Sequence, residues 1–136
     1  MKIYFIRILA ILTITVMAMS CKKYSSGGIL YPANDRKIRF QLYTNKDFSG
    51  NTSVINFSIF IRDTIGVLFD SSIASMQIKD IPDAAHKLVI EKTVPGNDHS
   101  DLAAGFRYEI ENVGNSSYTD TSKAGNAFKI IDFAFH

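Results

Sequence analysis

Reactive side chains are sparse in this 136-residue chain. Cys21 is the only cysteine, so an intrachain disulfide is impossible, and a cysteine-based zinc set is excluded with it. A lone thiol can still be alkylated or oxidised. The three histidines, His86, His99 and His136, are too scattered to suggest a relay or a ligand pair, and no Gly-x-Ser-x-Gly nucleophile elbow occurs among the many serines. The chain therefore reads as non-enzymatic. The densest group of oxygen donors is Asn97, Asp98, His99, Ser100 and Asp101. Calcium takes six to eight oxygens, but the alternating donors, turn glycine and distal glutamate of a calcium loop are missing. The segment reads as a solvated turn, with no metal or cofactor expected.

The stretch leading to Cys21 gives the thiol its context. Lys2 and Arg7 supply positive charge, and Ile8 to Met19 (ILAILTITVMAM) is apolar apart from Thr13 and Thr15. A helix of that length, at about 1.5 Å per residue, falls well short of a hydrocarbon core of about 30 Å. Counting from Ile3 instead would bury the charge of Arg7. The pattern is that of a helical signal peptide over residues 1–20. Ala18-Met19-Ser20-Cys21 resembles a bacterial lipobox, with Ala18 where Leu is commonest. The resemblance implies cleavage between Ser20 and Cys21, diacylation of the Cys21 thiol with palmitate-type chains, and acylation of the new amino terminus. Relaxed lipoboxes of this kind are frequent in lipoproteins of the Bacteroidota, which this N-terminus resembles. Surface-exported members tend to carry acidic residues after the cysteine, whereas Lys22 and Lys23 follow here. The implied location is the outer membrane, facing the periplasm.

The leader also accounts for the charge. The full chain has 15 basic and 13 acidic residues; without Lys2 and Arg7 the balance is 13 against 13 over 116 residues. That length suits one domain. A neutral chain carries no electrostatic footprint for nucleic acid, and none is expected as a partner. Lys22-Lys23 reads as part of a solvated tether, although each charge could gain about 1 kcal/mol beside anionic headgroups. Ser25, Ser26, Gly27 and Gly28 mark residues 21–35 as a lipidated cysteine on a flexible tether.

From Arg36 to His136 the hydrophobic period is two. Ile38, Phe40 and Leu42 alternate with Lys37, Arg39 and Gln41; Ile55, Phe57, Ile59 and Ile61 repeat the pattern, with Phe60 interrupting the polar side. Gly66–Asp70 and Ile73–Lys79 read as two short strands or one bent one, with Met76 and Ile78 inward. His86–Val94 and Gly105–Asn112 alternate again, Val113–Asn126 reads as a polar loop, and Ile131, Phe133 and Phe135 share one face of a last strand. About seven short strands without helical crossovers predict an all-β, antiparallel, immunoglobulin-like β-sandwich over 36–136.

Leu102, Gly105, Tyr108 and Ile110, followed by Asn112 and Gly114, resemble the run entering the penultimate strand of fibronectin type III and related immunoglobulin-like domains. In that family the tyrosine hydroxyl closes a corner by bonding upstream backbone, a role the resemblance gives to Tyr108. Unlike those domains, this chain has no Trp. The expected function is that of an envelope lipoprotein: a structural or protein-interaction module held to the membrane by its acylated cysteine, with other envelope proteins as partners. The alternative is a carbohydrate or small-ligand binding accessory, with Tyr43, Phe60 and Tyr118 as exposed rings able to stack on glycans. A ligand binder should expose coplanar aromatics; an interaction module should expose an open strand edge or apolar patch.

Overall fold

The computed structural model describes residues 34–136. The expected signal peptide, the expected Ser20/Cys21 cleavage and acylation site and all but Asn34 and Asp35 of the expected tether lie outside the described residues. Seven strands follow: β1 (Arg36–Thr44), β2 (Val54–Arg62), β3 (Val67–Gln77), β4 (Leu88–Val94), β5 (Leu102–Ile110), β6 (Gly114–Ser122) and β7 (Phe128–Phe135). They form a three-stranded sheet in the order β4-β1-β7 and a four-stranded sheet in the order β3-β2-β5-β6.

The two sheets bury the faces that the alternation marks. Ile38, Phe40, Leu42, Ile55, Ile59, Ile61 and Phe106 are all fully buried. Phe40 meets Phe106 edge-on across the sandwich, with ring centres 5.6 Å apart, and Phe133 stacks on Phe106 at 5.3 Å. At about 25 cal/mol per Å² of apolar surface, this layer supplies the main drive for folding.

Residues 66–79 read from sequence as two short strands or one bent one, and the bent strand forms; three other features depart from the sequence reading. Residues 67–77 form one strand, bent where the register slips and leaves Ile73 unpaired between the Phe57↔Ala74 and Ser58↔Ser72 pairs. Met76 packs against the core as expected, while Ile78 is buried from a short 3-10 turn, Ile78–Asp80, rather than from a strand. Most of the polar stretch Val113–Asn126 is strand β6, in unbroken register with β5 from Leu102↔Ser122 to Ile110↔Gly114. It lacks an apolar pattern because it is an edge strand whose main apolar contact is Tyr118, stacked on Phe133 at 5.1 Å.

The third departure concerns direction. Four of the pairings are antiparallel, but β7 runs parallel to β1, from Lys37↔Phe128 to Thr44↔Phe135. The chain leaves β6 at the end of the sandwich where β1 begins and crosses to the other sheet, so β7 must run the same way as β1. If β1–β6 take the places of immunoglobulin strands B, C, C′, E, F and G, then β7 occupies the position beside B that strand A holds in those domains.

Gly105 is fixed by the closeness of β6. A Cβ there would lie 1.9 Å from the Tyr118 carbonyl oxygen and 2.9 Å from Thr119 Cα, both backbone atoms that cannot swing aside. Gly105→Ala is therefore expected to cost about 2–3 kcal/mol and to lower Tm by on the order of 10 °C. Thermal denaturation followed by circular dichroism checks this, and an unchanged Tm would contradict the close approach of the two strands.

Candidate functional site

The strand registers sort the loops onto two ends. The head carries the start of β1, the β2–β3 hairpin tip, the β4–β5 loop and the β6–β7 turn; the foot carries the β1–β2 loop, the β3–β4 connection and the β5–β6 turn. Among the described residues, those singled out from sequence are spread across both ends and both sheets, with no convergence on one point.

The head is built round Arg36. By parity Arg36 shares the inward side of β1 with Ile38 and Phe40, and it is only 1% exposed. Its guanidinium faces a cage of oxygens. Nε donates to the Asn126 carbonyl at 3.1 Å, and Nη1 donates to the carbonyls of Asn97 at 3.1 Å and Ser100. Nη2 donates to the Ser122 carbonyl, the Ser122 hydroxyl and the Lys123 carbonyl, each at 2.7 Å. Burial pushes the Arg36 pKa down, and the nearby carboxylates of Asp101 and Asp98 oppose that shift. The group stays cationic, since an arginine starts so far above neutral pH.

The oxygen-rich loop thus has an occupant from its own chain. Asp98 Oδ2 accepts from the backbone and side-chain nitrogens of Asn34, while Oδ1 lies 3.0 Å from His99 Nε2 and otherwise lacks a hydrogen-bond partner. Asp101 accepts from Lys123 Nζ at 2.8 Å and from the Ala124 N–H, and both hold its carboxyl below the usual range. Among the described residues, no group of three His, Cys, Asp or Glu side chains is placed to hold a metal ion.

The three proposed stacking rings are not free platforms. Phe60 is 3% exposed although it points outward, because Arg62 and Arg107 lie over its ring at 5.6 and 4.7 Å. Tyr118 turns inward onto Phe133. Tyr43 is capped by Lys87 Nζ, 4.1 Å from its ring centre, and its hydroxyl donates to Asp132 Oδ2 at 3.2 Å. The corner role of Tyr108 is also corrected. Its ring packs among Phe57, Phe133 and Phe135, and its hydroxyl makes no hydrogen bond among the described residues. The loop a tyrosine corner would close is held by Arg36 instead.

A cleft of about 660 Å³ opens at the foot, with Phe48, Ile78 and Ile81 beneath Lys46, Lys79 and Asp83. Phe48 tilts onto Phe135, with ring centres 5.5 Å apart. His86 beside this cleft is paired with Asp83 at 2.9 Å. No protein-family model matches the chain, and no curated protein or solved structure shows significant similarity to it.

Two outcomes follow from the head and its carboxylates. Arg36→Met would strand buried carbonyl acceptors, at an expected cost of about 3–5 kcal/mol, while Arg36→Lys keeps the charge without the fork and should fall between. Urea midpoints should rank wild type above Lys above Met; a Met variant as stable as wild type would remove Arg36 from its central role. The second outcome concerns acid. Asp47, Asp63, Asp83, Asp101 and Asp120 are all held below the usual carboxylate value, by the Ser49 N–H, the Gly66 N–H, the His86 side chain, Lys123 and Lys129 respectively. Their stabilisation is present above the unfolded value of about 4 and is lost as pH falls through the lower folded values. The urea midpoint should hold steady from pH 7 to 5 and drop below about pH 4; a midpoint that rises on acidification would reverse this sign.

Proposed function

We propose that this chain is an envelope lipoprotein: a β-sandwich tethered to the outer membrane through acylated Cys21, facing the periplasm, and acting without catalysis as a structural or protein-binding module. The anchor rests on the leader and on the Ala18-Met19-Ser20-Cys21 run. The observation that carries the module reading over a glycan-binding one is the fate of the aromatics. Phe60, Tyr118 and Tyr43 are covered, packed and capped in turn.

An open edge favours the same reading. Among the described residues β7 pairs only with β1. Its outer face carries Phe128 at 46% and Ile130 at 42% exposure, in the alternation that a partner strand or apolar surface can match. Lys129 turns the other way and pairs with Asp120 of β6 at 2.7 Å.

Metabolic palmitate labelling with a Cys21→Ser control tests the anchor. Wild type is expected to take up label and to yield a mature terminus at Cys21 by mass spectrometry, and the variant to take up none. Unlabelled wild type would sink the anchor. Saturable binding by the acylated protein on a glycan array would replace the module reading with the carbohydrate-accessory one.

A further inference from the structure

The β2–β3 hairpin tip carries an apolar side chain where the chain could hardly expose it more. Ile65 is 94% exposed, and Val67 and Leu68 beside it are 60% and 42% exposed. Turn positions favour Gly, Asn, Asp, Ser and Pro, and the flanking Asp63 and Gly66 already meet that need. Folding gains nothing from an isoleucine held in water.

The tip is also firmly built. Asp63 Oδ1 accepts from the Ile65 N–H at 2.8 Å and the Gly66 N–H at 2.9 Å, and the Asp63 N–H donates to the Gly66 carbonyl at 3.0 Å. The backbone of the turn is thereby fixed, and the Ile65 side chain stands out into solvent. Its position in the fold matters most. The tip lies at the head, where Arg62 pairs with Ala103 next to Leu102, and Leu102 pairs with Ser122 inside the Arg36 cage. The chain comes into the described domain at the same end, where Asn34 is held by Asp98. Only residues 22–33 separate Asn34 from Cys21.

We propose that the Ile65-Gly66-Val67 tip is a second membrane contact: with Cys21 acylated, the head faces the bilayer, and Ile65, Val67 and Leu68 enter its headgroup region. This rests on the lipoprotein reading. Several acyl chains on one residue hold the protein to the bilayer without orienting it, and a small apolar wedge on the anchored face fixes which end of the domain meets the membrane. The foot then points away from the membrane, with its cleft and with Val113 at 76% exposure on the β5–β6 turn.

Val113 supplies the internal control. Acylated Ile65→Cys and Val113→Cys proteins, in which Cys21 is blocked by its lipid, are labelled with an environment-sensitive fluorophore. They are then reconstituted in vesicles of phosphatidylethanolamine and phosphatidylglycerol. The label at position 65 should show blue-shifted emission and lose quenching by aqueous iodide on vesicle addition, and the label at 113 should do neither. Equal quenching at both positions, with the acylated terminus verified by mass spectrometry, would overturn the tip contact and leave the anchor standing. An unacylated terminus would overturn both. Shielding of position 65 before vesicles are added would also overturn the contact, because the cover would then be protein.

Discussion

A buried guanidinium without a carboxylate in direct contact is the constraint on which the head of this sandwich depends. Arg36 cannot lose its charge, and an uncompensated buried charge would cost several kcal/mol. Loop carbonyls facing inward pose the converse problem, since a buried acceptor without a donor also costs free energy. The two solve each other. Five carbonyls and one hydroxyl, drawn from the β4–β5 loop, the last residue of β6 and the β6–β7 turn, converge on one planar fork at the first residue of β1. Residues 61 to 90 positions apart in sequence are thereby fixed together.

The same closure dictates the unusual place of β7. The turn holding Asn126 is tied to Arg36, so the strand that leaves it starts beside the start of β1 and must run parallel to it. At the other end Thr44 Oγ1 donates to the Phe135 carbonyl at 2.9 Å and fastens the strand's finish. Between these two points Phe133 and Phe135 become the centre of the aromatic packing, touching Phe106, Tyr108, Tyr118, Phe57 and Phe48.

What the sequence made legible follows from how each strand is covered. β1 and β2 are central in their sheets, with one face in the core, so alternation displays them plainly. β6 has little to bury, and its Ser and Thr are ordinary for an exposed edge, so it reads as a loop until the β5 register is known. Arg36 had a signal that composition hides: Arg36, Ile38, Phe40, Leu42 and Thr44 share one parity, which places a charged and a polar residue on the core side at the two ends of one strand. Phe60 misled in the opposite sense. Its parity points outward, and the bare surface of Gly105 beside it lets the ring lie down beneath Arg107.

Exposure of aromatic rings cannot be read from parity alone, because long cations on neighbouring strands lie over them. Arg107 is held by Asp70 as it covers Phe60, and Lys87 is held by Asp132 as it covers Tyr43. Arg39 does the same for one side of Phe128, 5.3 Å from the ring centre, while pairing with Glu91. Each of these ion pairs is partly exposed and contributes little by itself. Their joint effect is to close most of the sheet faces with flexible polar lids. Among the described residues, exposed large apolar side chains then remain at margins: at the β2–β3 tip, on the edge strands β4 and β7, and at Val113 on the β5–β6 turn.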